Sequence, residues 1–420
     1  MKFSISKEEV PFMISEDLNI ITVPRERDPV TIAFTGDKST GKTLSFLSYI
    51  CNLYHRQNQY IFMANDRAHL SSHWHKPVEN ERFITMLKIA GIIDKRWEKD
   101  KIPGGLPIAQ LYPSKKYFSY PIEYDIDYIK IALSWGYILD NYREFLELGN
   151  SEPYFEELIQ DLRNVKSFQE ITETVNLKIG EGDAEAKVKK KINARLRQVW
   201  DSGIVNIAST DATASITAID KFNIKKKFPA EIALMFTGAI PTMITAELSK
   251  ELMDRYLNNK LINIFNNQTS DGYFRDNRKV VYIAIDEMQV LEKRFKETRE
   301  TLDMIALEGR NRRIGLLYCV QNIASIPDDV ADNTRYGILL NQSGEKDIKK
   351  LAALFDLSKP VIREIKTLDK SKRECIACTK ERFHAYDLQT GKRTLIKNEA
   401  VKGIYLPPTC HTTSPIDERA

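Results

Sequence analysis

Eight consecutive residues, Gly36-Asp37-Lys38-Ser39-Thr40-Gly41-Lys42-Thr43, have types and spacing that could do chemistry. Two glycines bracket four residues, and a lysine and a threonine follow. Glycines at 36 and 41 permit backbone turns that a side chain blocks. N–H groups wound into such a turn at the head of a helix wrap a phosphate. Lys42 would reach the outer phosphates, and the Thr43 hydroxyl would ligate Mg2+ beside them. A chance Gly/Ser/Thr/Lys turn is the competing reading. The setting favours the cradle, because the apolar run VTIAF precedes it and LSFLSYI follows.

A phosphate cradle needs a carboxylate for its metal ion and a group that acts on water. VVYIAIDE, far downstream, supplies both at the end of an apolar run. Asp286 is placed to hold Mg2+, directly or through water, and Glu287 to polarise the attacking water. Two solvated acids at a strand end are the simpler alternative. The next apolar run, IGLLYCV, ends at Gln321. If that strand lies beside the cradle strand, Gln321 faces the terminal phosphate and can register its loss. Arg310, Arg312 and Arg313 crowd the turn before it, and Arg335 lies in DNTRYG. An arginine supplied by a neighbouring subunit would steady the transferring phosphoryl group. For any single one of them, a solvated basic turn is the better account.

These residues must be carried by an α/β framework. VTIAFTG reads as a buried strand, 42–56 as a helix and YIFMAND as a second strand, which is a βαβ unit with a parallel sheet. Strand patterns return at AEIALMFTG, KVVYIAIDE, IGLLYCVQN, RYGILLN and ECIACTKERFHAYDL, with helices at ETRETLDMIALEGRNR and EKDIKKLAALF. TAELSKELMDRYLNNKLINIF also has a helical pattern. The intervening region carries aromatic-rich loops and amphipathic stretches such as YIKIALSWGYILDNYREFLELG and EGDAEAKVKKKINARLRQVWDSG. The resulting plan is a polar lead-in at 1–28, an ATPase-type core at 29–69 and 226–400, a mostly helical insertion at 70–225, and a surface tail at 401–420.

Composition narrows the classes. The 420 residues are 42% hydrophobic and carry a net charge of +4, so any nucleic-acid surface must be a local patch. Two such patches are Lys187, Lys189, Lys190, Lys191, Arg195 and Arg197, and Lys221 with Lys225, Lys226 and Lys227. Charge runs are usually solvated faces, and contacts from these would go to phosphates rather than bases. Five cysteines suit a reducing compartment better than a disulfide framework. Cys375 and Cys378, with Cys410 and His411, could suggest zinc, but their flanks alternate as a strand. No apolar run reaches the roughly 18 residues of a spanning helix, and the first residues make a poor signal peptide. A cytoplasmic protein is the expectation, or a virion-associated one if the source is viral.

GDKSTGKT, VVYIAIDEMQVL and ALEGRNRRIGLLYCVQNIASIPDDVADNTRYGILLN, in this order, resemble the HerA/FtsK superfamily of ring-forming DNA motor ATPases, HerA-like members most. The resemblance implies a RecA-like P-loop core with a mainly parallel sheet, ATP and Mg2+ as ligands, and a homo-oligomer, typically a hexamer, that moves double-stranded DNA. It maps the trans arginine onto Arg310 and the polar sensor onto Gln321. Genome packaging, plasmid transfer or DNA processing would be the setting, with a nuclease or a capsid or portal protein as a further partner. The chain departs from the family in three places. Only a short segment precedes the cradle strand where HerA proteins usually carry a β-barrel, Val320 replaces a small hydroxyl residue, and no D-P-x-G-E-Y run follows IFMAND. A different class of function fits the same motifs: an ATP-operated scaffold that recruits an effector without translocating.

Overall fold

The computed structural model describes residues 5–6, 9–24, 29–57, 60–65, 78–92, 108–113, 127–131, 133–140, 142–146, 148–201, 205–206, 233–236, 280–289, 296–397 and 400–409. The chain divides into two units, the first made of 1–108, 230–236 and 260–420, the second of 109–229 and 237–259.

The first unit is built on one mixed sheet. Its strands are β1 (Glu9–Ser15), β2 (Asn19–Pro24), β3 (Thr31–Thr35) and β4 (Tyr60–Asn65), with helix α1 (Lys42–Gln57) between the last two. Helix α2 (Glu81–Ile89) follows, with Asn80 accepting from the Arg82 and Phe83 N–H groups at its start.

The second unit holds β5 (Ile108–Pro113, from its second residue) paired in parallel with β6 (Asp127–Ile131). Then come β7 (Leu133–Ser134), α3 (Trp135–Asp140), α4 (Tyr142–Leu146), α5 (Glu152–Leu162), α6 (Phe168–Lys178), α7 (Asp183–Asp201) and β8 (Val205–Asn206). Its helices bury Trp135, Phe155, Leu162, Ile171, Val175, Ile192 and Leu196. The stretch YIKIALSWGYILD reads as helical in sequence, yet its first half forms β6 and β7. Tyr128, Ile129 and Ile131 are β-branched or aromatic, and Tyr and Ile favour strands when a partner strand is at hand.

The chain re-enters the first unit with β9 (Ala233–Phe236) and continues through β10 (Val281–Ile285), α8 (Lys296–Glu308), β11 (Ile314–Val320), α9 (Asp328–Asp332) and β12 (Tyr336–Leu339). It ends with α10 (Glu345–Phe355), α11 (Lys359–Ile365), β13 (Glu374–Thr379), β14 (Arg382–Asp387), β15 (Arg393–Lys397) and β16 (Ala400–Tyr405). The helix pattern read over TAELSKELMDRYLNNKLINIF lies outside the described residues.

In space the strands of this unit run β15-β14-β2-β1-β16-β13-β12-β3-β11-β10-β4-β9. From β12 to β9 every pairing is parallel. From β12 back to β15 every pairing is antiparallel. The sheet is therefore parallel in one half only, where a mainly parallel sheet was expected. The parallel half has the order of a RecA-like core, with β11 inserted between the cradle strand β3 and the acid-tipped strand β10. β11 is buried along its whole length, as a strand covered on both faces must be.

The antiparallel half corrects both ends of the sequence reading. Residues 1–28 are not a polar lead-in, since they hold β1 and β2, paired antiparallel, with every residue of β1 buried. Pro11 obscured the pattern: it lacks an N–H, and the ladder shifts register between Pro11 and Met13. The supposed tail at 401–420 is not a surface segment at its start, because β16 lies between β1 and β13. Residues 410–420 lie outside the described residues. The expected insertion boundary at 70 also moves, as 78–92 belong with the first unit.

Helix α1 is buried from Leu44 to Leu53 and packs on β1, β3 and β11. Phe34 stacks edge-on against Phe46 at 5.3 Å, and Tyr49 lies between Phe34 and Phe12 at 5.9 and 6.5 Å. Such buried aromatics contribute about 1.5–3 kcal/mol each. Asn52 Nδ2 donates to Pro11 O at 3.1 Å, and Ser48 Oγ donates to Leu406 O. Both terminal segments thus hold the helix whose head carries the cradle.

Candidate active site

Parallel strands end on the same edge, so residues that follow them in sequence meet there. Thr35 of β3 pairs with Val320 of β11, and Ile285 of β10 pairs with Tyr318. The cradle, Gln321 and the acids Asp286 and Glu287 therefore leave the sheet side by side. Leu340, just past β12, donates its N–H to Thr35 O, so the segment after β12 opens on this edge as well.

The cradle runs from Gly36 to Thr43 into α1. Ser39 and Gly41 have positive φ of 62° and 92°. A Cβ on Gly36 would stand 2.8 Å from Thr40 Oγ1 and 2.9 Å from Leu340 Cβ, so the turn closes only with glycine there. Thr40 Oγ1 and Lys42 Nζ both donate to Asp37 O, at 2.8 and 2.7 Å. Lys38 and Ser39 are exposed at the loop crest.

Lys42 is 6% exposed. Burial pushes its pKa below the ordinary lysine value, and the nearby Cys319, Asp286, Glu287 and Asp37 oppose that fall. Asp286 is buried at the end of β10. It stands close enough to Cys319 to raise that thiol's pKa, although desolvation is the larger cause. Glu287 is half-buried with φ of 51°, a left-handed conformation that costs a non-glycine residue about 1–3 kcal/mol and concentrates at functional sites. Its Oε1 accepts from Gln321 Nε2 at 3.0 Å.

The Thr43 hydroxyl and the Asp286 carboxylate are hard oxygen donors, the chemistry that Mg2+ takes. The positive-φ turn at the head of α1 with an ammonium beside it suits a polyphosphate. The residues present therefore fit both groups.

The structure brings together Gly36 to Thr43, Asp286, Glu287 and Gln321. It does not bring in the arginines. Arg310 is exposed in the turn after α8, Arg312 pairs with Glu308 at 2.5 Å, and Arg335 pairs with Glu381 at 3.4 Å. On α7, Lys191 donates to Leu148 O and Arg197 pairs with Asp201 at 3.6 Å, while Lys187 and Lys190 are exposed. Lys221, Lys225, Lys226 and Lys227 lie outside the described residues, as do Cys410 and His411. Cys375 and Cys378 are both buried on β13. Three residues apart on a strand, they point to opposite faces and cannot chelate one ion together. No metal-binding group of three His, Cys, Asp or Glu occurs among the described residues.

Two participants escaped the motif reading. Tyr405 of β16 lies with its hydroxyl 2.7 Å from where a Cβ on Gly41 would be. Gln342, past the end of β12, is 1% exposed and bonded to the cradle. Its place after a parallel strand was a usable signal; that of Tyr405 was not, since it depends on a long-range antiparallel pairing.

No protein-family model and no curated protein matches the chain. Among solved structures it is similar to VirB4 of Thermoanaerobacter pseudethanolicus, at 14% identity over 94% of this chain and 98% of that one, with a TM-score of 0.49. It is similar to the bacterial conjugative coupling protein TrwBΔN70, trigonal form with sulphate, at 10% identity over 97% and 93%, with a TM-score of 0.49. It also matches the genome packaging NTPase B204 of Sulfolobus turreted icosahedral virus 2 in complex with ATP-γS, at 8% identity over 89% and 98%, with a TM-score of 0.30. Likeness at these identities concerns fold, and activity rests on this chain's own residues.

Proposed function

We propose that the chain is an Mg2+-dependent ATPase whose turnover drives an oligomeric ring along double-stranded DNA. The observation that carries the ATPase part is the contact of Glu287 Oε1 with Gln321 Nε2 at 3.0 Å, beside the buried Lys42 and Asp286.

Each residue has a task. The backbone from Gly36 to Lys42 wraps the phosphates, and Lys42 places positive charge on the outer ones. Thr43 and Asp286 would hold Mg2+, which supplies charge neutralisation across the outer phosphates when bound. Glu287 takes a proton from water as the water oxygen bonds to the terminal phosphorus. The bond from that phosphorus to the bridging oxygen breaks, and the electron pair leaves on the diphosphate. Gln321 donates to the same carboxylate, so the sensing strand and the base move as one. Arg310, exposed on its own subunit, is assigned to the site of a neighbouring copy. DNA contact is assigned to Lys187 and Lys190, whose charges face solvent on one side of α7.

The test is ATP turnover with and without duplex DNA, together with displacement of a triplex-forming strand. Turnover stimulated by DNA and strand displacement that stops in Glu287→Gln support the motor. Turnover that ignores DNA, with rings that assemble on ATP, supports the scaffold instead.

A further inference from the structure

Gln342 is a buried polar residue that the motifs leave without a task. Its side chain touches three separate segments of the candidate site. Thr35 Oγ1, at the end of the cradle strand, donates to Gln342 Oε1 at 3.4 Å. Gln342 Nε2 donates to Asp37 Oδ1 at 3.1 Å and to Gln321 O at 3.4 Å. The amide orientation follows from its surroundings, because Asp37 Oδ1 and Gln321 O are both acceptors and only the NH2 end can face them. Asp37 is held further by the Ser343 N–H at 2.8 Å and the Ser343 hydroxyl at 2.5 Å. Its own N–H donates to Asn341 O at 2.8 Å. The loop after β12 is thus fastened to the first residues of the cradle at several points.

These bonds form one line. Asp37, in the cradle, is joined to Gln342, Gln342 to the main chain of Gln321, and the side chain of Gln321 to Glu287. A shift of the cradle when phosphates enter or leave would move the Asp37 carboxylate. Gln342 is 1% exposed and has no room to follow it independently. A buried amide pulled off its acceptors would leave them unsatisfied, which is costly. Movement of Asp37 is therefore passed to Gln321.

We propose that Gln342 is a positioning residue that ties the geometry of the phosphate cradle to that of Gln321 and, through it, to Glu287. This rests on the ATPase reading for its consequence, though not for the linkage itself. Gln342 does not touch the reacting atoms. It sets where the base stands once phosphates are bound.

The test is an isosteric swap. Gln342→Glu keeps the volume but sets a carboxylate against that of Asp37 and the carbonyl of Gln321. Gln342→Glu with Asp37→Asn restores one donor and one acceptor across the same contact. The expected result for Gln342→Glu is a kcat lowered about 10-fold or more, with the Kd for a fluorescent ATP analogue within about 3-fold of wild type, since the repulsion displaces Gln321 and with it Glu287. The swapped pair should recover most of kcat. Unchanged kcat, or a fall in binding equal to the fall in kcat, overturns the proposal. If the wild-type chain hydrolyses no ATP, the ATPase reading fails, and the linkage is still read by urea unfolding of wild type, Gln342→Glu, Asp37→Asn and the double variant. The swap should then restore the unfolding equilibrium about 10-fold beyond additivity; additive effects overturn the linkage.

Discussion

Replacing Gly41 by alanine should strain the cradle twice, and only one of the two strains should depend on Tyr405. The first is conformational. Gly41 has φ of 92°, and a Cβ in left-handed backbone costs about 1–2 kcal/mol. The second is steric. The new Cβ would stand 2.7 Å from Tyr405 Oη, and overpacking of that kind costs about 1–3 kcal/mol. Gly41→Ala should therefore lose about 2–5 kcal/mol in all. Tyr405→Phe removes the oxygen, and the nearest remaining ring atom, at 3.6 Å, is at ordinary contact distance. In that background Gly41→Ala should lose only the conformational part, about 1–2 kcal/mol. The assay is urea unfolding of wild type, both single variants and the double variant. A coupling of about 1–3 kcal/mol is expected. Additivity within about 0.5 kcal/mol would refute the claim that the C-terminal strand packs against the phosphate cradle.

Other consequences can be measured directly. Burial holds the Lys42 pKa below 10.5, so between its folded value and 10.5 the unfolded chain binds more protons than the folded one. Stability should gain a contribution from Lys42 as pH rises through that window, and Lys42→Met should flatten it in unfolding curves taken across alkaline pH. Burial pushes the Cys375 thiol up to about 12 and raises Cys319 and Cys378 as well. Cys51 is buried as well, so a thiol reagent at about pH 8 should leave all four unreached in the native protein and label them after denaturation, as read by mass spectrometry. Ending the chain before Ala400 removes a strand bonded on both sides, so the truncated protein should lose its near-ultraviolet circular dichroism.

The glycine-bracketed turn and the acid pair could be read from sequence because each depends on residues close together in the chain. GDKSTGKT needs only its own turn and the helix after it. IDE and VQN needed one further inference, that β11 lies next to β3, and the sheet has that pairing. The antiparallel half was illegible for a physical reason. β1 pairs with β16 and β2 with β14 across nearly the whole chain, and nothing local in EVPFMIS or AVKGIY marks those partners. Pro11 and Glu9 made β1 look like a surface segment. Glu9 is nonetheless buried, because Thr22, His384 and Arg393 satisfy its carboxylate at 2.7, 3.0 and 2.8 Å. Gln342 lay between these extremes. It follows a recognisable strand, yet its value shows only when Thr35, Asp37 and Gln321 are seen around it.

The central claim is that Glu287 acts on water at a site where the Gly36–Thr43 turn holds ATP. The most direct measurement is steady-state turnover of wild type and Glu287→Gln, alongside binding of a fluorescent ATP analogue to each. A lost general base should lower kcat by about 100-fold or more while binding stays within about 3-fold. Turnover in Glu287→Gln equal to that of wild type would contradict the account.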